Sequence, residues 1–283
     1  MSGTALALLS LASATGLFGF LAWRQVARLP GKRKKALLKK TINGVFISFE
    51  ERGWLPRTPA FDRDYHVYHP ALARLEEHHC EIQEECLALL DGNHALTEMS
   101  KLGGSYTEHG IHTAAWKTFM FKSGKFIDAN CALCPKTAAL LRKIPGVYTA
   151  FFSVLSPRQQ VAPHWGYYKG FLRYHLGVVI PKNNADRKCY LRVNADAADN
   201  ARRDPDLIEN GETYYWKNGE GVVFDDNYVH DAANLSDEVR VVLWLDIRRP
   251  MPWPLQAFNM LCLAIAHRDP SVRKIRENAL VAR

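Results

Sequence analysis

The 283-residue chain is 47% hydrophobic and 23% charged, a globular composition with apolar material for one large domain or two small ones. Its net charge of +8 is local: residues 24–40 carry eight Lys or Arg and no acid, and removing them leaves 37 − 8 = 29 basic against 29 acidic residues. A neutral body with one basic block excludes a nucleic-acid-binding surface spread over the fold.

The first 23 residues are uncharged, and Thr4 to Trp23 is about long enough to cross a bilayer as a helix. The positive charge follows this run instead of preceding it, which is the reverse of a cleaved signal peptide. The positive-inside rule then sets residues 24 onward in the cytoplasm, giving a single-pass membrane protein. The expected organisation is a transmembrane anchor over residues 1–23, a basic juxtamembrane segment over 24–45, a main folded domain over 46–250 and an amphipathic, basic tail over 251–283.

Pro70 opens a helical pattern with Leu72, Leu75, His79, Ile82, Cys86 and Leu89 on one face, closed by Asp91-Gly92. His78 and His79 are adjacent, point in different directions and make a poor metal pair. Ala115 to Ile127 predicts a hairpin around Gly124. Cys131 and Cys134 form a CxxC without a second pair, which suits reduced cysteines of a cytosolic fold better than a zinc site. A short helix is expected over Pro135 to Ile144, then a strand over Val147 to Leu155 that carries Ser153. Residues 183–213 are polar and predict a long excursion, either a solvated insertion or a substrate entry. Strands follow at Glu212 to Trp216 and Gly221 to Phe224. Many short strands separated by turns indicate a mainly β fold with flanking helices, its core a double-stranded β-helix (a cupin-like jelly roll). Pro254 to Ala266 is too short to span a membrane and is followed by Arg268, Arg273, Lys274 and Arg276. It predicts a helix lying at a membrane surface, or one packed on the barrel as ordinary core.

Two histidine-centred stretches carry the chemistry. The first runs Pro163-His164-Trp165-Gly166 and on to Arg173-Tyr174-His175; the second is Phe224-Asp225-Asp226-Asn227-Tyr228-Val229-His230, with Arg240 ten residues later. Alternation along Leu172 to Ile180 sets Arg173, His175, Gly177 and Val179 on one face, and along Val239 to Ile247 sets Arg240, Val242, Trp244 and Asp246 on one face. Neutral imidazoles bind iron or zinc, and a strand arginine pairs with both oxygens of a carboxylate. The pattern suggests a metal with an organic acid held beside it.

His164, Arg173 nine residues on, His175, Ser153 eleven residues before His164, the Phe-Asp-Asp…His230 segment and Arg240 together resemble the aspartyl/asparaginyl β-hydroxylase family of Fe(II)- and 2-oxoglutarate-dependent dioxygenases, which includes bacterial lipid A hydroxylases. The resemblance covers roughly Ala115 to Pro250. It implies His164 and His230 as Fe(II) ligands and 2-oxoglutarate as cosubstrate, with Arg240 and Ser153 at its distal carboxylate. Arg173 and His175 then lie near its metal-bound end or at the substrate. The implied partners are a membrane, O2, 2-oxoglutarate and a lipid or peptide substrate, with no nucleic acid. Gly166 stands where most such oxygenases carry a ligating Asp or Glu; animal members of the family likewise have Gly there, whereas lipid A hydroxylases tend to carry Asp. Asp226 either orients metal-bound water or is an ordinary turn residue. Phe171 replaces an arginine that animal members place two residues before the one matching Arg173, which weighs against a peptidyl aspartate substrate. The alternative is a catalytically inert jelly-roll module that binds an acidic ligand or protein partner at the membrane; a zinc hydrolase is a weaker third reading, since no third ligand can be assigned.

Overall fold

The computed structural model describes residues 31–92, 96–103 and 115–280 and divides the chain into two units, Met1–Phe49 and Glu50–Arg283. The anchor expected over residues 1–23 lies outside the described residues. Among the described residues no helix is long and apolar enough to cross a membrane. In the first unit, residues 31–49 belong to the helix Gly31–Glu51.

The second unit is built on antiparallel strands: β1 (Thr97–Glu98), β2 (Trp116–Ser123), β3 (Lys125–Phe126), β4 (Val147–Leu155), β5 (Gln159–His164), β6 (Phe171–Val179), β7 (Cys189–Asn194), β8 (Glu212–Tyr215), β9 (Gly221–Phe224), β10 (Val229–Asn234) and β11 (Arg240–Arg248). One sheet has the order β1-β2-β4-β11-β6-β9, with β3 paired to β2; the other has the order β5-β10-β7-β8. From β4 onward the chain passes repeatedly between the two sheets. The orders β4-β11-β6-β9 and β5-β10-β7-β8 are those of a jelly roll, as expected from the run of short strands.

Register fixes which side chains meet. Asp246 pairs with Arg173, Trp244 with His175 and Val242 with Gly177 across β11 and β6. With a side-chain period of two, that alignment sets all six on one face. The opposite face of the same strands, Leu172, Tyr174, Leu176 and Val178 with Val241, Leu243, Leu245 and Ile247, is buried against Leu72, Leu75, Ile82, Cys86 and Leu141 from the flanking helices. Each such burial is worth about 1.5–3 kcal/mol, so the helices hold the large sheet rigid behind the site.

The expected helix from Pro70 to Asp91 has the predicted buried face but is broken. A 3-10 turn (Pro70–Leu72) and a short helix (Ala73–Glu77) lead to His78 at φ −105°, ψ 21°, after which the helix His79–Asp91 runs. Residues 183–213 are not one excursion. They contain β7, an interior strand of the smaller sheet whose Cys189, Leu191 and Val193 face inward while Tyr190 and Arg192 face out. Its polar outer face obscured the alternation. Cys131 and Cys134 are buried, free thiols, and burial pushes the Cys134 thiol up to about 12.

Candidate active site

His164 ends β5 and His230 is the second residue of β10, and the two are register partners. Their ring centroids are 4.1 Å apart. Pro163 is tolerated beside His164 because β5 is an edge strand. The Nδ1 atoms of His164 and His230 each lie 2.8 Å from a backbone carbonyl, of Ala162 and Tyr228 respectively. A carbonyl can only accept, so each Nδ1 carries the proton and donates. Burial, then the neighbouring His164, holds His230 well below the usual imidazole range, so it is neutral. Two facing imidazoles, each with Nδ1 tied to the backbone and so with Nε2 turned to the other side of the ring, have the arrangement of a metal-binding pair.

These two rings share a cavity with Ser153, His175, Arg240 and Trp244. His175 is buried, and neither of its ring nitrogens has a hydrogen-bond partner among the described residues. Burial, and then the charges of Arg173 and Arg240, depress it well below the ordinary value. Arg240 is 3% exposed, its Nε is likewise unpartnered, and its guanidinium lies 4.4 Å from the centre of the Trp216 ring. Burial pushes it down to about 10. An unpaired buried guanidinium and an unpaired buried imidazole are costly, so the site fits an anionic, oxygen-rich ligand. Ser153 accepts from Trp116 Nε1 at 2.9 Å, leaving its own hydroxyl proton to give. The cavity is small, about 20 Å³. A cavity of this size admits a dicarboxylate only if side chains such as Arg240 shift from their present stacking.

Arg173 lies apart from that cavity. Its guanidinium is 2.8 Å from Asp226 Oδ2, donates to Asp246 Oδ1 at 2.9 and 3.1 Å, and stacks 3.8 Å over Trp244. Asp226 is thus a partner of Arg173, and burial raises its carboxyl to about 6 despite that arginine. Gly166 makes this arrangement possible. A Cβ there would collide with the Asp226 carboxylate, even its farther oxygen lying only 2.6 Å away. The Asp226 carboxylate therefore occupies the space that a side chain at 166 would fill. The backbone N–H of Gly166 also donates to the Asp226 carbonyl at 2.6 Å.

Sequence reasoning missed the frame behind the two histidine-bearing segments. Lys169, five residues after His164, pairs with Asp225 at 2.9 Å, and Asp225 lies five residues before His230. Glu50 joins Lys169 at 3.1 Å, and Arg249 closes the ring to Asp225 at 2.8 Å and to Glu50 at 2.5 Å. All four are buried. Burial opposes the charge on Asp225, but Lys169 and Arg249 outweigh it and hold the carboxyl below its usual value. Glu50 and Arg249 are 199 residues apart, so no local pattern joins them.

A groove of about 330 Å³ lies on the outer side of the smaller sheet. Its arginine, Arg192, is already committed to Asp231 at 2.6 Å and Glu209 at 2.9 Å, which leaves it no chemistry to offer. Among the described residues no group of three or more His, Cys, Asp or Glu is arranged to hold a metal.

Fold and site define a jelly roll with a paired-imidazole centre beside a buried arginine whose Nε has no partner among the described residues. Residues 76–250 match the family model described as aspartyl/asparaginyl beta-hydroxylase, and the chain belongs to that family. The match begins earlier than the Ala115 expected from the motifs. An ornithine lipid ester-linked acyl 2-hydroxylase of Rhizobium tropici is 34% identical over 164 residues, 58% of this chain and 52% of the relative. The human aspartyl/asparaginyl beta-hydroxylase is 27% identical over 147 residues, 50% of this chain and 17% of that protein. The mouse aspartate beta-hydroxylase domain-containing protein 2 is 28% identical over 206 residues, covering 69% and 52%. The chain thus spans about half, or less, of the length of the curated relatives it matches. Among solved structures, a Pseudomonas putida prolyl-4-hydroxylase superposes with a TM-score of 0.36 at 12% identity, covering 62% of this chain and 88% of that one; a score that low carries no argument.

Proposed function

We propose that the protein is an Fe(II)- and 2-oxoglutarate-dependent dioxygenase that hydroxylates a C–H bond of a membrane-associated substrate, with a lipid-linked acyl chain favoured over a peptidyl Asp or Asn. The observation that carries the reading is the presence in one cavity of two backbone-locked imidazoles with buried Arg240 and His175, whose Nε and ring nitrogens have no partner among the described residues. His164 and His230 would hold the metal through Nε2. Fe(II) with 2-oxoglutarate would supply the activation of O2 needed to oxidise an unactivated C–H bond.

The chain's own residues set the conditions for that chemistry. Arg240 would receive the distal carboxylate of 2-oxoglutarate, and Ser153 would donate to it. His175, kept neutral by burial, would donate from one nitrogen to an oxygen of the same ligand. The surrounding Trp116, Phe224 and Trp244 exclude water, which strengthens each of these contacts. Asp226, held by Arg173 beside Gly166, would accept a proton from water near the metal; Arg173 acts by positioning it. The lipid preference rests on Phe171 in place of an arginine and on the acyl 2-hydroxylase among the relatives. Residues 1–23 would anchor the chain with the catalytic unit in the cytoplasm.

The test is mass spectrometry of total lipid from cells producing the protein or its His164→Ala, His230→Ala variant. An acyl species heavier by one oxygen in the first and absent in the second is expected. Identical lipid profiles with both proteins correctly folded would refute the lipid reading.

A further inference from the structure

The helix Trp253–Ala266 lies beyond the matched family region, which ends at residue 250, and contains no charged residue. It buries one face, Leu255, Asn259 and Leu263. Its opposite face is open: Trp253 is 81% exposed, Met260 57%, Leu261 60% and Ile265 58%. Pro254, Ala257 and Ala264 are exposed with them, at the three- and four-residue spacing of a single helical face. A face this apolar is a binding surface.

The charge around it identifies the occupant. Beyond the helix stands Arg268, with Lys274 on the following helix Pro270–Asn278 and Lys125 at the start of β3, next to Gly124, which lies against the His267 ring. The acids nearby are used: Asp269 caps the Ser271 N–H and Glu277 pairs with Arg273 at 2.8 Å. An uncharged face with a basic border complements the interface of an anionic bilayer.

This helix is also tied to the metal-ligand segment. Asn259 is fully buried, donates to the Gly170 carbonyl at 2.9 Å and accepts from the Tyr168 hydroxyl at 2.6 Å. A Cβ on Gly170 would collide with both Tyr168 and Asn259, so the two segments fit as closely as backbone allows. Gly170 lies six residues after His164.

We infer that the Trp253–Ala266 helix is a membrane-docking surface: Trp253, Leu261 and Ile265 enter the interfacial layer of an anionic bilayer, and Asn259 transmits that orientation to the His164 segment. The inference rests on the membrane half of the function proposed above, not on its chemistry. Trp253 is the reporter. Full-length protein, its Trp253→Phe variant and its Met260→Glu, Ile265→Glu variant are mixed with vesicles of brominated phosphatidylcholine, with and without phosphatidylglycerol. The Trp253 contribution, native minus Trp253→Phe, should be quenched by the anionic vesicles. The glutamate pair, on side chains more than half exposed, should weaken that quenching by about tenfold or more in lipid concentration. This should hold even where the chain stays vesicle-bound through another segment. An unquenched Trp253, or equal quenching by neutral and anionic vesicles, would overturn the assignment. So would a dimer in lipid-free buffer that the glutamate pair dissociates, which would assign the face to a second copy. Quenching without enzymatic turnover would leave the docking surface standing and refute the dioxygenase; turnover without quenching would do the reverse.

Discussion

Gly166 and Asp226 compete for one volume, and the strength of that competition can be measured. In Gly166→Ala the new methyl group collides with the Asp226 carboxylate, which must leave its 2.8 Å pairing with Arg173. Breaking a buried pair costs about 3–5 kcal/mol, and forcing an extra carbon into a packed site about 1–3 kcal/mol. Some relaxation shares the two terms, so we expect Gly166→Ala alone to cost about 4 kcal/mol. In an Asp226→Ala background the obstruction is absent. Gly166 has no positive φ, so alanine meets no backbone strain there and should cost about 1 kcal/mol or less. The coupling energy is then about 3 kcal/mol, read from urea unfolding of the four proteins of the cycle without metal. The reasoning is falsified if Gly166→Ala costs the same in both backgrounds to within about 0.5 kcal/mol.

Three further outcomes are expected. Arg240→Met should abolish saturable 2-oxoglutarate binding by calorimetry yet leave the ligand-free protein as stable or up to about 3 kcal/mol more so, since it removes a buried charge held down to about 10; a clear loss of stability would count against an unpaired arginine. Lys169→Met should destabilise by about 3–5 kcal/mol in denaturant titration, because it leaves Glu50 and Asp225 sharing one arginine; a change within about 0.5 kcal/mol would refute the buried frame. Ionised Asp226 should cost the metal-free protein stability that acidification relieves. Asp226 is raised from 3.8 to about 6, so its cost of roughly 3 kcal/mol is fully present above both values and is relieved as pH falls through about 6 towards 4. Asp225 has the opposite sign: its depressed carboxyl contributes stability that is lost only as pH falls through its folded value, below the ordinary aspartate range. His175 and His230, buried and neutral, contribute stability that is lost as pH falls through the ordinary imidazole value. Unfolding in EDTA between pH 7 and 5 should therefore show the native protein losing less stability than Asp226→Asn; equal losses would refute the Asp226 assignment.

What could be read from sequence was whatever repeats locally. The strand Val147–Leu155 has its expected limits, and the alternation along Phe171–Val179 and Arg240–Arg248 assigns Arg173, His175, Arg240 and Trp244 to one face. The histidine pair was legible because two motifs at fixed spacing converge on it. The use of Arg173 was not legible. Its alternation shows which face it occupies but not that Asp226 and Asp246 take its guanidinium, because those contacts span three segments. The frame of Glu50, Lys169, Asp225 and Arg249 left no trace for the same reason. Strand β7 was hidden because only alternate residues are apolar and its outer face carries Arg192. For the Trp253–Ala266 helix the sequence left packing on the barrel and a membrane-surface position both open; the structure shows packing for one face, with Asn259 and Leu263 buried, and leaves Leu261 and Ile265 exposed.

The most direct test of the dioxygenase reading is succinate release from 2-oxoglutarate by the purified full-length protein with Fe(II), ascorbate and O2, with and without anionic lipid. The account predicts turnover that requires Fe(II), increases with lipid, and is lost in His230→Ala and in Arg240→Met while both variants remain folded. Succinate formed equally by the native protein and His230→Ala, or no Fe(II)-dependent binding of 2-oxoglutarate to a folded native protein, would contradict it.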